Sequence, residues 1–325
     1  MGPASLIIFP KVIADGTRDT VIQLTNTSNS LVAVRCVYLN GTPTPPFGLP
    51  ALAETHFSLS LFAQQPTHWV ASQGRPVDPT DPPCSAMNTS CNGAGFDPGV
   101  VPAAPSGFQG ELLCVQTDGS GAPLSGNNLV GQATVQNIAT GALAQYIAIG
   151  LRGFDTNDGD NTLCLGGGVT LQCPNGAEYE GCPDSWWVSH VADGREDPLA
   201  GPGSAVHGEL TFVSCKDDFA NQAYASSVVQ LFAYDQNDSR FLSTSFSFTG
   251  WVSWPLSDRH LYYPPSLSQY LTPYLQVHLR FIGGGGLALL EETRTSGGAQ
   301  PVSTSAVVQA HPQGVPATGT VIVLP

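Results

Sequence analysis

Apolar and polar positions along this chain alternate mostly with a period of two. Segments of five to nine residues rich in Val, Ile, Thr and aromatic side chains recur between clusters of Gly, Pro, Asn and Asp. Hardly any stretch carries the 3.6-residue apolar period of an amphipathic helix, so the pattern predicts an all-β fold. The clearest strands of the first half are 6–13, 20–25, 31–39, 55–62, 110–117, 129–136 and 144–152. Those of the second half are 205–214, 226–234, 241–249, 274–282, 287–292, 302–309 and 319–324. Seven strands on each side of a Cys- and Gly-rich middle match the strand count of two immunoglobulin-like β-sandwich domains. The expected organisation is an N-terminal immunoglobulin-like sandwich over 1–152 with an insert at 64–106, a Cys/Gly-rich connecting region over 153–203, and a C-terminal β-sandwich over 204–325. A single large sandwich with long inserts would give the same strand list. Two long inserts, 64–106 with its Pro-rich run Pro76 to Pro83 and 155–203, hold cysteines at short range, which favours loops stapled by disulfides.

A short internal echo accompanies the strand count. Val21-Ile22-Gln23-Leu24 followed by Asn26-Thr27-Ser28 returns as Val228-Val229-Gln230-Leu231 followed by Asn237-Asp238-Ser239, a strand running into a polar hairpin turn each time. Convergence on a common hairpin explains the echo as well as duplication does. The opening, Leu6 to Pro10, then Asp19 to Ser28, then Leu31 to Tyr38, resembles the first strands of bacterial extracytoplasmic immunoglobulin-like domains. It is also similar to an uncharacterised family of secreted bacterial proteins with the same opening. The resemblance covers roughly the first forty residues and implies a fold and a compartment, with no activity attached.

At 325 residues and 42% hydrophobic content the chain can fill two cores of ordinary size. Only 11% of residues are charged, well under the usual quarter, and such a surface suits packed assemblies and β-rich extracellular folds. The formal charge of −14 arises from 11 Lys and Arg against 25 Asp and Glu, leaving no basic stripe to neutralise phosphates. Nucleic acid and anionic membranes are therefore not expected partners. No apolar run has the length of a membrane span. The first ten residues lack a basic n-region and a long apolar stretch, so the expectation is a mature start without its signal peptide.

Eight cysteines, none in a CxxC pair, point to disulfides in an oxidising compartment, hence a secreted or cell-surface protein. Short separations favour Cys84 with Cys91 and Cys164 with Cys173. Cys36 with Cys114 and Cys182 with Cys215 would then join strands or tie the middle to the second sandwich. Eight cysteines allow 105 pairings, so this is a preference among them.

Asp155, Asn157, Asp158, Asp160 and Asn161 form the densest oxygen-ligand cluster in the sequence and the candidate calcium loop, because Ca²⁺ takes six to eight oxygens from such side chains on a kinked backbone. The glycine falls at the fifth position and Gly166 at the twelfth, so the loop is not an EF-hand. It looks more like the irregular Asp/Asn loops of calcium-stabilised extracellular modules; a polar turn rich in Asn, Asp and Gly is the alternative reading. His190, three residues before Asp193 in the stretch from Trp186 to Asp193, is the histidine to watch for acid–base chemistry, against the simpler reading of a packed aromatic corner. GxSxG, Walker-type and Rossmann signatures are missing, and Gly283 to Gly286 read as a turn or bulge. Trp251 and Trp254 are spaced by three, which puts them on opposite faces of a regular strand and favours core packing over a sugar-stacking platform. Asn26, Asn40, Asn88 and Asn237 begin N-x-Ser/Thr sequons at predicted turns.

These features lead to a non-enzymatic secreted or cell-surface subunit of a filament, lattice or surface layer. It would self-associate, or join another surface protein, through an edge strand at 6–13. The alternative is a calcium-stabilised module binding a glycan or another ligand.

Overall fold

The computed structural model describes residues 2–44, 49–76, 96–191, 193–196, 202–257, 274–296, 303–309, 311–316 and 319–325. Every regular element among them is a strand. The first eleven are β1 (Leu6–Ala14), β2 (Arg18–Asn26), β3 (Val32–Asn40), β4 (Pro43–Thr44), β5 (Leu49–Pro50), β6 (Ala53–Leu61), β7 (Pro66–Val70), β8 (Phe108–Thr117), β9 (Leu129–Asn137), β10 (Leu143–Ile147) and β11 (Ile149–Leu151). Apart from the small β4–β5 hairpin they share one hydrogen-bonded path, β10-β9-β2-β1-β8-β3-β6, with β7 on β2 and β11 on β1.

β1 is the hinge of this path. It pairs with β8 from Leu6 to Phe9 and again from Val12 to Ala14, with an irregularity between Phe9 and Val12. Pro10 sits there and has no N–H to give the ladder, so the strand bulges at Pro10 and Lys11. Its other side is taken by β11 at Leu6–Ile8 and by β2 at Ala14. All nine of its residues are buried, because its two faces enter different cores. Ile7, Phe9 and Val12 join Ile22, Tyr38, Phe57 and Trp69 inside the N-terminal unit. Leu6 and Ile8, with Val37, Leu39, Leu113 and Val115, face outward into a second core shared with Trp186, Phe212, Leu231 and Phe281. A strand covered on both faces reads as a continuous apolar run, and each such Leu or Ile contributes about 1.5–3 kcal/mol on burial. The expectation that 6–13 forms an edge strand free to pair with a neighbour is thereby overturned: its hydrogen bonds are made within the chain.

The remaining strands are β12 (Thr162–Leu165), β13 (Pro183–Val191), β14 (Ala205–Ser214), β15 (Asp217–Asp218), β16 (Ala223–Tyr224), β17 (Ser226–Tyr234), β18 (Arg240–Thr249), β19 (Trp251–Pro255), β20 (Tyr274–Ile282), β21 (Gly286–Thr295), β22 (Ser303–Gln309), β23 (His311–Pro316) and β24 (Thr320–Val323). They build a five-stranded sheet, β18-β17-β20-β13-β23, and a four-stranded sheet, β19-β14-β21-β22. β13 lies inside the five-stranded sheet between β20 and β23, although the sequence reading left 183–191 in the connecting region. That region is not a loose linker either. β12 pairs with the C-terminal β24, which continues to β15 and β16.

Disulfides join Cys36 to Cys114 across the directly opposed pair of β3 and β8, Cys164 to Cys173, and Cys182 to Cys215. The expected Cys84–Cys91 pair lies outside the described residues.

Beside the shared apolar core, the bulge in β1 makes polar contacts with the C-terminal strands. Trp251 Nε1 donates to the Pro10 carbonyl at 2.6 Å. The Lys11 ammonium, fully buried, lies 2.8 Å from Glu209 and 2.6 Å from Glu291, while Arg18 Nη1 reaches Glu209 at 3.0 Å.

Candidate metal centre

The loop between β11 and β12 is shaped by its own side chains. Asn157 Oδ1 accepts the Gly159 N–H at 2.8 Å, Asp158 Oδ1 the Asp160 N–H at 3.2 Å, and Asp160 Oδ1 the Thr162 N–H at 2.6 Å. Each is a carboxylate or amide capping the amide two residues on, the local bond that makes Asn and Asp good turn formers. Gly159 takes a φ of 76° at the tightest point, a conformation glycine adopts without strain. Opposite the loop stands Glu178, buried, whose Oε1 accepts the Asp158 N–H at 3.1 Å and whose Oε2 accepts the Cys164 N–H at 3.0 Å. The Cys164–Cys173 bridge closes the intervening segment and folds Glu178 back over the loop.

The result is a set of three carboxylates, Asp158, Asp160 and Glu178, each with an oxygen within 4.8 Å of the others. Such a set could hold a metal ion. Burial pushes the Glu178 carboxyl above its ordinary range; the two backbone N–H groups oppose this, and the Asp158 and Asp160 charges add to it. A hard divalent cation would relieve that mutual repulsion. Asp158 and Asp160 are exposed, so the approach from solvent is open. Asn175 Nδ2 donates to Asp158 Oδ2 at 3.0 Å and steadies its outer oxygen.

Of the five residues singled out in the sequence, Asp158 and Asp160 come together and the others serve the loop. Asn157 Nδ2 donates to the Tyr179 hydroxyl at 2.6 Å. Asn161 Oδ1 accepts from Arg35 Nη1 at 3.2 Å, and its carbonyl receives the Leu324 N–H at 2.8 Å. Asp155 lies exposed at the start of the loop, outside the carboxylate set. Glu178 escaped the sequence reading because a single glutamate 20 residues from Asp158 has no spacing signature. Only the short Cys164–Cys173 loop hinted at a chain reversal.

Beside Asp160 opens a polar cleft of about 620 Å³, lined by Arg35, Ser58, Ser120, Gly121, Gly159 and Asn161. Its far wall is a turn in which Asp118 Oδ1 accepts the Ser120 hydroxyl at 2.7 Å and the N–H groups of Ser120 and Ala122 at 2.7 and 3.0 Å. Those bonds, the Ser120 hydroxyl first, hold the Asp118 carboxyl below its ordinary range.

The other candidates are absorbed by structure. His190 is buried with Nδ1 2.7 Å from the Val191 carbonyl, and burial lowers its basicity. Asp193 accepts the Gly208 N–H at 2.9 Å and lies 3.5 Å from His207. Trp251 is buried and Trp254 packs on Phe212 and Phe246. Gly283 and Gly284 make the turn from β20 to β21. The Asn26 sequon does not offer a glycan site in the folded protein. Asn26 is buried and its Nδ2 donates to the carbonyls of Ser30, Leu61 and Phe62 at 2.7, 3.1 and 2.7 Å. Asn237 stays exposed in a turn, and Asn88 lies outside the described residues.

Fold and site thus define an all-β, disulfide-bonded protein with a three-carboxylate candidate metal centre. No protein-family model and no curated protein matches the chain. The solved structure described as "putative beta-galactosidase from bacteroides fragilis" is similar at 9% identity and a TM-score of 0.14, over 94% of this chain and 32% of that one. The chain thus spans about a third of that protein's length, and a likeness so weak carries no argument. No helix among the described residues is long and apolar enough to cross a membrane, and the three disulfides point to an oxidising, extracellular environment.

Proposed function

We propose that this is a secreted or cell-surface, non-enzymatic binding module. In this reading Asp158, Asp160 and Glu178 hold Ca²⁺, and the ion fixes one wall of the adjoining cleft as a ligand site. The carrying observation is the approach of the three carboxylates to within 4.8 Å at the edge of that cleft. Calcium fits better than a transition metal because the donors are all oxygen, and backbone carbonyls and water would complete the shell. The cleft lining offers hydroxyls, an amide, a carboxylate, a guanidinium and exposed backbone, with no aromatic ring among its lining residues. Such a surface suits a polyhydroxylated ligand, a glycan above all.

Calcium added to the chelator-treated protein is expected to raise its melting temperature, equivalent to about 2.7 kcal/mol at a free concentration one hundred times the dissociation constant. Asp158→Ala and Asp160→Ala should abolish the rise. Identical melting in calcium and in chelator would end the reading, and a glycan array run in both conditions tests the ligand.

Self-association into a filament, lattice or surface layer stands as a second reading, now resting on β18. Among the described residues this strand ends the five-stranded sheet and bonds to β17 on one side only, with Ser245 and Ser247 exposed along it. Negative-stain electron microscopy of the native protein decides: ordered assemblies support it, and dispersed particles with and without calcium remove it.

A further inference from the structure

The junction between the two units holds a second group of carboxylates, which the Lys11 cluster does not neutralise. Glu111 on β8 shares a face with Leu113 and Val115 and so points into the shared core, where it is buried. Asp217, the first residue of β15, is 1% exposed. Among the described residues no donor meets Glu111 Oε2 or either Asp217 oxygen in hydrogen-bonding geometry, and no cation lies within ion-pair distance of either side chain. Glu54 on β6 completes the group from the N-terminal side; it accepts the Tyr224 hydroxyl and lies 2.8 Å from His56 Nε2. Tyr224 stands directly opposite Asp217 across β15 and β16.

A buried carboxylate with unmet oxygens and no ion-pair partner favours its neutral form. The Asp217 carboxyl is pushed up to about 8, by burial first; the Ser214 hydroxyl and the partly exposed Lys216 oppose the rise and Glu54 adds to it. Burial, with the Asp217 charge added, drives Glu111 well above the ordinary range. A shared cation is the other way to neutralise such a group. Among the described residues, however, the set whose ligand atoms close to within 4.8 Å is Asp158, Asp160 and Glu178, not this one.

We propose that Glu111 and Asp217, facing Glu54, Tyr224 and Lys216, form a proton-held latch that keeps the two units together in the neutral form and loosens as the carboxyls ionise. The folded state then binds more protons than the unfolded chain, so stability is greatest near the unfolded carboxyl range of about pH 4. It falls as pH rises, through about 8 for Asp217. This is opposite in sign to the ordinary acid loss of ion-paired carboxylates, and it does not depend on the calcium reading.

The test is the melting temperature of the full chain from pH 5 to pH 9 in chelator, for the wild type, Asp217→Asn and Glu111→Gln. General repulsion at high pH from the net charge of −14 acts on all three proteins alike, so the difference between variant and wild type is the readout. At pH 5 Asp217→Asn should melt close to the wild type, and at pH 9 about 5 °C above it, with Glu111→Gln shifting in the same direction. A difference that does not change with pH overturns the proposal. So does a loss at pH 9 that calcium reverses in a chain carrying both Asp158→Ala and Asp160→Ala, since the Glu111–Asp217 group itself would then be a cation site.

Discussion

Replacing Lys11 with methionine is expected to lower the unfolding free energy by about 3–5 kcal/mol, the usual cost of removing one partner from a buried ion pair. The side chains are close in length, so the loss comes from stranded charge more than from packing. Arg18 would still lie 3.0 Å from Glu209 and 3.6 Å from Glu291, and Ser253 Oγ would still donate to Glu209 at 2.8 Å, but the fully buried ammonium between the two carboxylates would be gone. Burial by itself would raise the Glu209 carboxyl; the Lys11 and Arg18 charges outweigh it and hold the group well below the ordinary range. Stability from a depressed carboxyl is complete above its unfolded value, about 4.3, and is lost as pH falls toward the folded one. The gap between wild type and Lys11→Met, read by urea denaturation, should therefore be full at pH 7 and narrow below about pH 4. Adding Glu291→Gln to Lys11→Met should recover part of the loss. If Lys11→Met unfolds at the wild-type midpoint at pH 7, the ion cluster is not what holds the junction.

The contrast between this cluster and the Glu111–Asp217 group explains what the sequence could and could not disclose. Both lysines of the chain, Lys11 and Lys216, lie at the junction, yet neither position carries a motif, since their partners are 198 residues away in one case and assembled by sheet pairing in the other. Strand identity was legible because it depends on a local period. β2, β9 and β17 alternate buried with less buried residues as written. β1 is legible as a strand, but its position is not: the run from Leu6 to Ala14 is apolar apart from Lys11, which signals burial on both faces, and the Pro10 bulge that turns Lys11 toward the second unit is a tertiary event. β13 was hidden by context. Trp186, Val188 and His190 alternate inward, but they follow the last cysteine of a Gly-rich insert, and the insert was read as one piece. The Asp/Asn loop was legible through composition, whereas Glu178 depends on where a disulfide returns the chain.

Trp251→Ala should cost about 3–5 kcal/mol, the range for deleting a large aromatic from a core. It empties the space between the β1 bulge and the second unit and leaves the Pro10 carbonyl without its donor at 2.6 Å. The site that receives the indole is made by Gly41. A Cβ there would lie 2.2 Å from Trp251 Cε3 and 2.8 Å from Cδ2, closer than carbon atoms approach. The ring is anchored by its own hydrogen bond, so it cannot simply swing aside, and Gly41→Ala should cost about 1–3 kcal/mol as an overpacked contact. Because the clash and the cavity occupy the same space, the two losses should not add. In the double variant the alanine methyl meets open volume, and the combined loss should fall short of the sum by about 0.5–3 kcal/mol. A double-mutant cycle in urea measures this directly. Strict additivity would mean that Gly41 and Trp251 do not share a contact in solution, and the indole would then not be seated against Gly41 beside the β1 bulge.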